Sequence, residues 1–553
     1  MAPKTASRFP TSSGSIIRTS VARATHLMAV VLLGAAAIAP FSVSAQSAGQ
    51  TAFVFLVGAD TVGIERFTAT PQLVTGEILQ RGSPRLTYVA TKAAAGRFAS
   101  LDLVAYPPNS GPDAEPLQRA RLRIIGDSAI ADVTAGGATR TQKFGTTADA
   151  LMIINNSVAM FEPALERMTG ANRDSVTVPV WLAAGGQTLQ ASFRRITGDS
   201  IDVRLGPQQS YIVARGTAIL RIHTPAQRLV MQRVEGEAAS KLALGKPDYS
   251  APAGAPYRAD NVRVPTPAGH TLAGTFTMPS GAAGKVPAVV TITGSGPQDR
   301  DEYIPLVAGY RPFRQVADTL GRRGIAVLRM DDRGTGESGG NFATATSADF
   351  ADDIRAGIAW LRARPDIDSS RIAVLGHSEG GLIAPIIAAS DPRLAAAVLM
   401  AGPSQRGRDI LDFQFRYGIE HDTLIPLAKR DSAFRATRAG FDSTAGRQAW
   451  MKYFQEYDPV PTLRKVKQPV LILQGATDRQ VTAEQAEAIA REMRGTGNRT
   501  VTVRVYPDRN HLFLPDTSGN PAGYTRLTSG KIGPEVMGQI ADWLAQILQV
   551  PPR

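Results

Sequence analysis

The chain contains no cysteine. That excludes disulfides, thiolate metal sites, a cysteine nucleophile and a lipid-modified N-terminal cysteine. Histidine is scarce, with six in 553 residues. No two of them have ligand spacing, so the sequence implies no metal site. Long hydrophobic runs are missing too: none reaches the roughly 20 residues a transmembrane helix needs. Charged residues make up 20% and hydrophobic residues 43%. This is a globular composition, which excludes a disordered, collagen-like or polytopic membrane chain. The formal net charge is +13, but the basic residues are spread along the chain without a run. A nucleic-acid footprint needs a clustered basic patch, so no nucleic-acid partner is expected.

The first 45 residues have no acid. Lys4, Arg8, Arg18 and Arg23 precede an apolar run from Leu27 to Ala39, followed by Pro40 and the small-residue end Val43-Ser44-Ala45. A basic region, a short apolar core and an A-x-A-like end read as a secretory signal cleaved before Gln46. The expectation is an exported protein, periplasmic or extracellular, with no stable membrane insertion after cleavage.

The rest divides by pattern. Residues 46–250 hold short runs that alternate apolar and polar side chains, such as Ile201-Asp202-Val203-Arg204-Leu205, punctuated by Gly-Asp pairs. That pattern predicts a mainly antiparallel β domain, with one helical stretch over about 149–168. The segment 245–258 is rich in proline and glycine, a composition able to hold two domains apart without packing. The linker is placed at 251–258. From 259 to 553 a hairpin (261–265 and 271–278) is followed by apolar strands alternating with helix-length segments. This predicts a mostly parallel sheet covered on both faces, with ligands bound beyond the carboxyl ends of its strands. An insertion at about 403–464 is expected to form a helical cap.

The loops after the strands carry the chemistry. Gly376-His377-Ser378-Glu379-Gly380 lies between a strand (372–375) and a helix. G-x-S-x-G in that context is a nucleophile elbow, with the serine hydroxyl raised above the sheet. Such a serine needs a base. His26 leaves with the signal, His223 and His270 lie in strand and hairpin, His377 sits in the elbow, and His421 lies in the insertion. His511, in the loop after the strand 502–506, is therefore the candidate base. The acid must fix the tautomer of that histidine. Asp478 follows the strand 470–473 and is favoured over Asp508, which reads as a turn residue. The oxyanion needs waiting amides. These are expected from Glu379 and from Ser295, with Gly296 second; Pro297 has no amide.

The set Gly294-Ser295-Gly296-Pro297-Gln298-Asp299-Arg300-Asp301, Asp332-Arg333-Gly334-Thr335-Gly336-Glu337-Ser338, the elbow at Ser378, Gly475-Ala476-Thr477-Asp478-Arg479-Gln480-Val481 and Asn510-His511 resembles bacterial α/β-hydrolase esterases of the serine-aminopeptidase-like group. The resemblance covers about residues 255–550. It implies an α/β-hydrolase fold and hydrolysis of a small-molecule carboxylic ester by Ser378, His511 and Asp478 without a cofactor. Thr293 stands where lipases carry the histidine of an H-G motif.

Two other readings share these motifs. An aminopeptidase would need a carboxylate for the substrate ammonium, and Glu420 or Glu456 in the cap is a candidate. Alternatively, the β domain would make the chain an envelope- or glycan-binding protein with a secondary hydrolase. The cap carries nine aromatics, Phe413, Phe415, Tyr417, Phe434, Phe441, Trp450, Tyr453, Phe454 and Tyr457. Most are expected in its own core and a minority in an apolar acyl pocket.

Overall fold

A computed structural model describes residues 50–551, apart from 82, 95, 108–109, 112, 136, 171–172, 184, 207, 283, 423–424, 444–445 and 447. The expected signal segment lies outside the described residues.

The N-terminal part is one sheet of 15 strands, from Ala138–Gly145 at one end to Leu151–Ile153 at the other. Neighbours run antiparallel except Leu151–Ile153, which lies parallel to Ser175–Leu182. The two ends of the sheet meet. Phe144 packs on Trp181 with ring centroids 5.9 Å apart, and the Thr188 hydroxyl donates to the Gly145 carbonyl. The rolled sheet encloses the helix Glu162–Gly170, whose Ala164, Leu165 and Met168 are buried among inward-facing Phe53, Leu101 and Phe193. The helix predicted over 149–168 is therefore shorter and later. Residues 151–154 are apolar without a polar face and fully buried, so they join the sheet as a strand. Pro163 falls in the first helical turn, where a missing N–H leaves no bond unmade.

The C-terminal part is an eight-stranded sheet: β1 (Tyr257–Pro265), β2 (Thr271–Pro279), β3 (Val286–Ile292), β4 (Ala326–Met330), β5 (Ile367–His377), β6 (Ala396–Met400), β7 (Val470–Gly475) and β8 (Val501–Tyr506). Their spatial order is β1-β2-β4-β3-β5-β6-β7-β8. β1 and β2 form the antiparallel hairpin, β2 joins β4 antiparallel, and the remaining pairs are parallel. This is the α/β-hydrolase fold.

The parallel strands are apolar on both faces because both are covered. In β3, Ala288, Val290 and Ile292 pack on one face and Val289 on the other, the alternation of a strand. Helices α1 (Pro312–Arg322) and α9 (Pro534–Ile547) cover the second face through Val316, Leu320, Val536 and Ile540. Helices α2 (Ser347–Arg362), α3 (Glu379–Ser390) and α8 (Glu484–Gly495) cover the first. Thr346 and Asp349 start α2 with a reciprocal capping box. The cap consists of α4 (Gly407–Glu420), α5 (Arg430–Ser443), α6 (Ala449–Glu456) and the short α7 (Val460–Leu463).

The proline-rich segment packs where its composition predicted a free spacer. The Tyr249 hydroxyl donates to Asp299 at 3.1 Å, the Arg300 guanidinium lies 4.3 Å from the Tyr249 ring, and Arg314 donates to the Ser250 carbonyl. Guanidinium groups on the C-terminal half supply the partners that hold it down. The two halves also touch through loops of the C-terminal part. Tyr303 and Ala308 pack against the core of the N-terminal sheet, and Asp60 accepts the Gly309 amide at 3.1 Å. Past His511, Thr525 donates to the Ala226 carbonyl and Arg228 to that of Leu527. Among the described residues no helix is long and apolar enough to cross a membrane.

Candidate active site

The elbow is built by close approach. A methyl group on Gly376 would sit 2.0 Å from the Gly380 carbonyl oxygen, and one on Gly380 would sit 2.1 Å from that of Ile292. Only glycine lets the chain turn this tightly. Between them Ser378 takes φ 54° and ψ −117°, a region L-residues rarely occupy. Its amide is fixed on the Met400 carbonyl at 2.8 Å.

The three residues singled out from the sequence meet here. His511 Nε2 lies 3.0 Å from Ser378 Oγ, and His511 Nδ1 lies 2.7 Å from Asp478 Oδ2. Asp478 is fully buried yet well satisfied. Its Oδ1 accepts the amides of Gln480 and Val481 at 2.7 and 3.0 Å, and Oδ2 also accepts the Gln474 side-chain amide at 2.9 Å. Asp508 is exposed in a left-handed turn at φ 52°, remote from this role. Asn510 shapes the histidine loop by accepting the amides of Leu512 and Leu514.

The loop after β3 comes close to the nucleophile. A methyl group on Gly294 would sit 3.3 Å from Ser378 Cβ. The Gly294 amide is already engaged by Glu302 Oε1 at 3.1 Å, so an oxyanion donor from this loop would have to be the Ser295 or the Gly296 amide, the two expected from the sequence. Gly296 follows at φ 92°. The Glu379 amide opens α3, where the first N–H groups have no intrahelical acceptor. Thr293 holds the loop in its own way: its hydroxyl donates to Asp332 at 2.6 Å, and Asp332 also accepts the Gln298 amide at 2.9 Å. Burial pushes the Asp332 carboxyl well above its ordinary range. Arg300 makes a two-pronged contact with Asp331, at 3.0 and 2.7 Å. Asp331 and Asp332 thus anchor this loop through Thr293, Gln298 and Arg300.

The side chain of Glu379 was not anticipated. Its buried carboxyl accepts from Ser347 Oγ at 2.6 Å, from Trp450 Nε1 at 2.8 and 3.0 Å, and from the Ser295 hydroxyl. Burial raises its pKa, and these three donors oppose the shift. One carboxyl therefore joins the elbow, the loop of Ser295, the start of α2 and the cap. Trp450 ties the cap to the residue after Ser378, and Gln414 of α4 adds a bond to the Gln480 carbonyl at 3.1 Å. Of the other cap aromatics, Phe415 and Phe454 lie in the core, and Phe434, Phe441 and Tyr457 pack against it. Glu420 and Glu456 are exposed at the ends of α4 and α6.

His377 is buried, and its role is larger than its place in the elbow suggested. Nδ1 lies 2.6 Å from Glu302 Oε1, and Nε2 lies 2.9 Å from the His511 carbonyl oxygen. His223 lies in the strand Ala218–Thr224, His270 pairs with Asp353 at 3.0 Å, and exposed His421 stacks on Tyr417.

The profile of the prolyl oligopeptidase family matches residues 311–548. The matching family is thus a different one from the serine-aminopeptidase-like group that the motifs resemble. Esterase EstD of Thermotoga maritima is 29% identical over 283 residues, 50% of this chain and 66% of that protein. Dipeptidyl aminopeptidase BIII of Pseudoxanthomonas mexicana is 28% identical over 233 residues, 41% of this chain and 30% of that protein. The chain thus spans just under two thirds of the first relative's length and under one third of the second's. A structure of the Pyrococcus furiosus esterase Pf2001 aligns with 55% of this chain and 96% of its own, at 18% identity and a TM-score of 0.39. The likenesses fall among serine hydrolases.

Proposed function

We propose that this protein is an exported carboxylic ester hydrolase acting on short to medium acyl esters through an acyl-enzyme. The observation that carries this reading is the continuous line from Ser378 Oγ through His511 to Asp478, at 3.0 and 2.7 Å. The likeness to an esterase supports it.

In this reading Ser378 Oγ attacks the acyl carbon while His511 Nε2 takes its proton. Asp478 accepts from Nδ1–H, fixing the tautomer and stabilising the imidazolium that forms. The amides of Ser295 and Glu379 meet the negative charge on the carbonyl oxygen, each worth about 10²–10³ in rate. His511 returns the proton to the departing alcohol, then activates a water that releases the acid. No step calls for a cofactor.

The match to the prolyl oligopeptidase profile favours a second reading, a peptidase on the same triad. Parallel assays of the purified chain on p-nitrophenyl butyrate and alanine p-nitroanilide separate the two. The esterase reading expects turnover of the ester and none of the anilide; preference for the anilide would overturn it. The exposure of Glu420 and Glu456 weakens their candidacy as holders of a substrate ammonium. The N-terminal sheet, through its grip on Tyr303–Gly309 and Thr525–Leu527, has a supporting role in this reading in preference to that of a separate binding module.

A further inference from the structure

Beneath the triad lies a second carboxylate–imidazole pair that the reaction above does not use. Glu302 is 1% exposed and takes φ 56°, a left-handed conformation unusual for a residue with a side chain. The turn brings its carboxylate back under the elbow. Oε1 accepts the Gly294 amide at 3.1 Å and lies 2.6 Å from His377 Nδ1. The other ring nitrogen faces the backbone carbonyl of His511 at 2.9 Å. A carbonyl only accepts, so Nε2 carries a proton. Oε1 already takes an N–H from Gly294, which suits an ionised oxygen and leaves Nδ1 as the second donor. The two imidazoles sit 5.0 Å apart, centroid to centroid.

We propose that Glu302 and His377 are positioning residues for the esterase reaction. Together they tie the loop that carries the Ser295 amide to the backbone of the catalytic histidine. The chain runs from the Gly294 N–H to the Glu302 carboxylate, across the His377 ring, to the His511 carbonyl. It fixes the two halves of the site, oxyanion donor and base, relative to each other from below. Neither side chain contacts Ser378 Oγ. The inference rests on the proposed roles of Ser378 and His511 but adds a requirement they do not contain.

The electrostatics agree in direction. Burial pulls the His377 imidazole down; the adjacent Glu302 carboxylate, the His511 carbonyl and the charge of Asp478 outweigh it and leave the group raised. Tyr310 is the further titratable group facing Glu302, and burial together with that carboxylate pushes its phenol up. A raised imidazole keeps both donors through its ordinary range and loses one only as the pH climbs through the raised value. The brace therefore weakens on the alkaline side.

The test is Glu302→Gln in the full chain, with His377→Asn as the second variant. Glutamine keeps an acceptor for Gly294 but no charge for His377. Asparagine keeps a donor near Nδ1 but nothing to reach His511. The expected result for each is kcat on p-nitrophenyl butyrate reduced about 100-fold, the scale of a misplaced catalytic group, with KM within about twofold. The alkaline limb of the Glu302→Gln profile moves down by about one unit or more, and Glu302→Asp recovers part of the loss. The double variant costs no more than the worse single one, because the two act as a unit. Should Glu302→Gln fail to fold, His377→Asn carries the kcat and pH measurements alone. Unchanged kcat and pH profile in a folded variant, with Ser378→Ala inactive, would overturn the brace and leave the esterase reading standing. An active Ser378→Ala would overturn the esterase reading itself.

Discussion

Ser378→Ala is expected to lower kcat on p-nitrophenyl butyrate by about 10⁴-fold or more, while circular dichroism and Tm stay close to those of the parent. The size follows from the chemistry. Without Oγ there is no acyl-enzyme, and His511 Nε2 loses the hydroxyl it faces at 3.0 Å. The proposed oxyanion amides remain, so a residual rate above that in water should survive. Stability is spared for a specific reason. The strain of Ser378 lies in its backbone at φ 54°, which alanine shares. Its amide bond to Met400 is likewise independent of the side chain. A variant that retained turnover would remove Ser378 from the reaction.

Asp478→Asn is expected to come next, with kcat about 10⁴-fold lower and KM little changed. Here the fold and the ligand contacts persist, but the proton is on the wrong nitrogen. The amides of Gln480 and Val481 both donate to Oδ1 at 2.7 and 3.0 Å, so an asparagine places its carbonyl oxygen there. Its NH₂ then takes the place of Oδ2 and faces His511 Nδ1. That nitrogen must become the acceptor, which moves the proton to Nε2, the atom that should receive one from Ser378. The same NH₂ also opposes the Gln474 amide, which now donates to Oδ2 at 2.9 Å. A stability cost of about 1–3 kcal/mol for an unsatisfied buried donor is expected as well. A loss of less than tenfold would mean that Asp478 does not set the tautomer.

The parallel sheet and the meeting of Ser378, Asp478 and His511 were legible in the sequence because they depend on local signals. Apolar runs of strand length mark the parallel strands, and each reactive residue follows one of them. The strand Ala396–Met400 and the first four residues of the next, Val470–Leu473, are continuous apolar runs because helices cover both faces. Glu302 was not legible. It ends the polar run Gln298-Asp299-Arg300-Asp301-Glu302, and only the left-handed turn turns its carboxylate toward His377. His377 was read only as an elbow residue, because its contact with the His511 backbone crosses 134 residues of sequence. The Glu379 carboxyl escaped notice because its partners, Ser295, Ser347 and Trp450, come from three separate segments. The proline-rich segment misled in the opposite direction. Its composition describes a chain without partners, whereas Arg300 and Arg314 supply them.

The signals that failed are therefore long-range ones. The supporting shell of the site is drawn from loops that are neighbours only after folding. It also reaches the N-terminal sheet, since Glu302 directly precedes Tyr303, which packs on that sheet's core. The loop that carries the proposed oxyanion amide of Ser295 is thus held from outside by the first half of the chain.

The most direct measurement is covalent labelling of the purified chain with a fluorophosphonate, followed by peptide mass mapping and assay of ester hydrolysis. A phosphonate forms the tetrahedral adduct that the attack of an activated serine requires. The proposed mechanism predicts one adduct per chain, on the peptide that contains Ser378, with p-nitrophenyl butyrate hydrolysis lost in proportion to labelling. An adduct on another residue, or full labelling of Ser378 with hydrolysis retained, would contradict it.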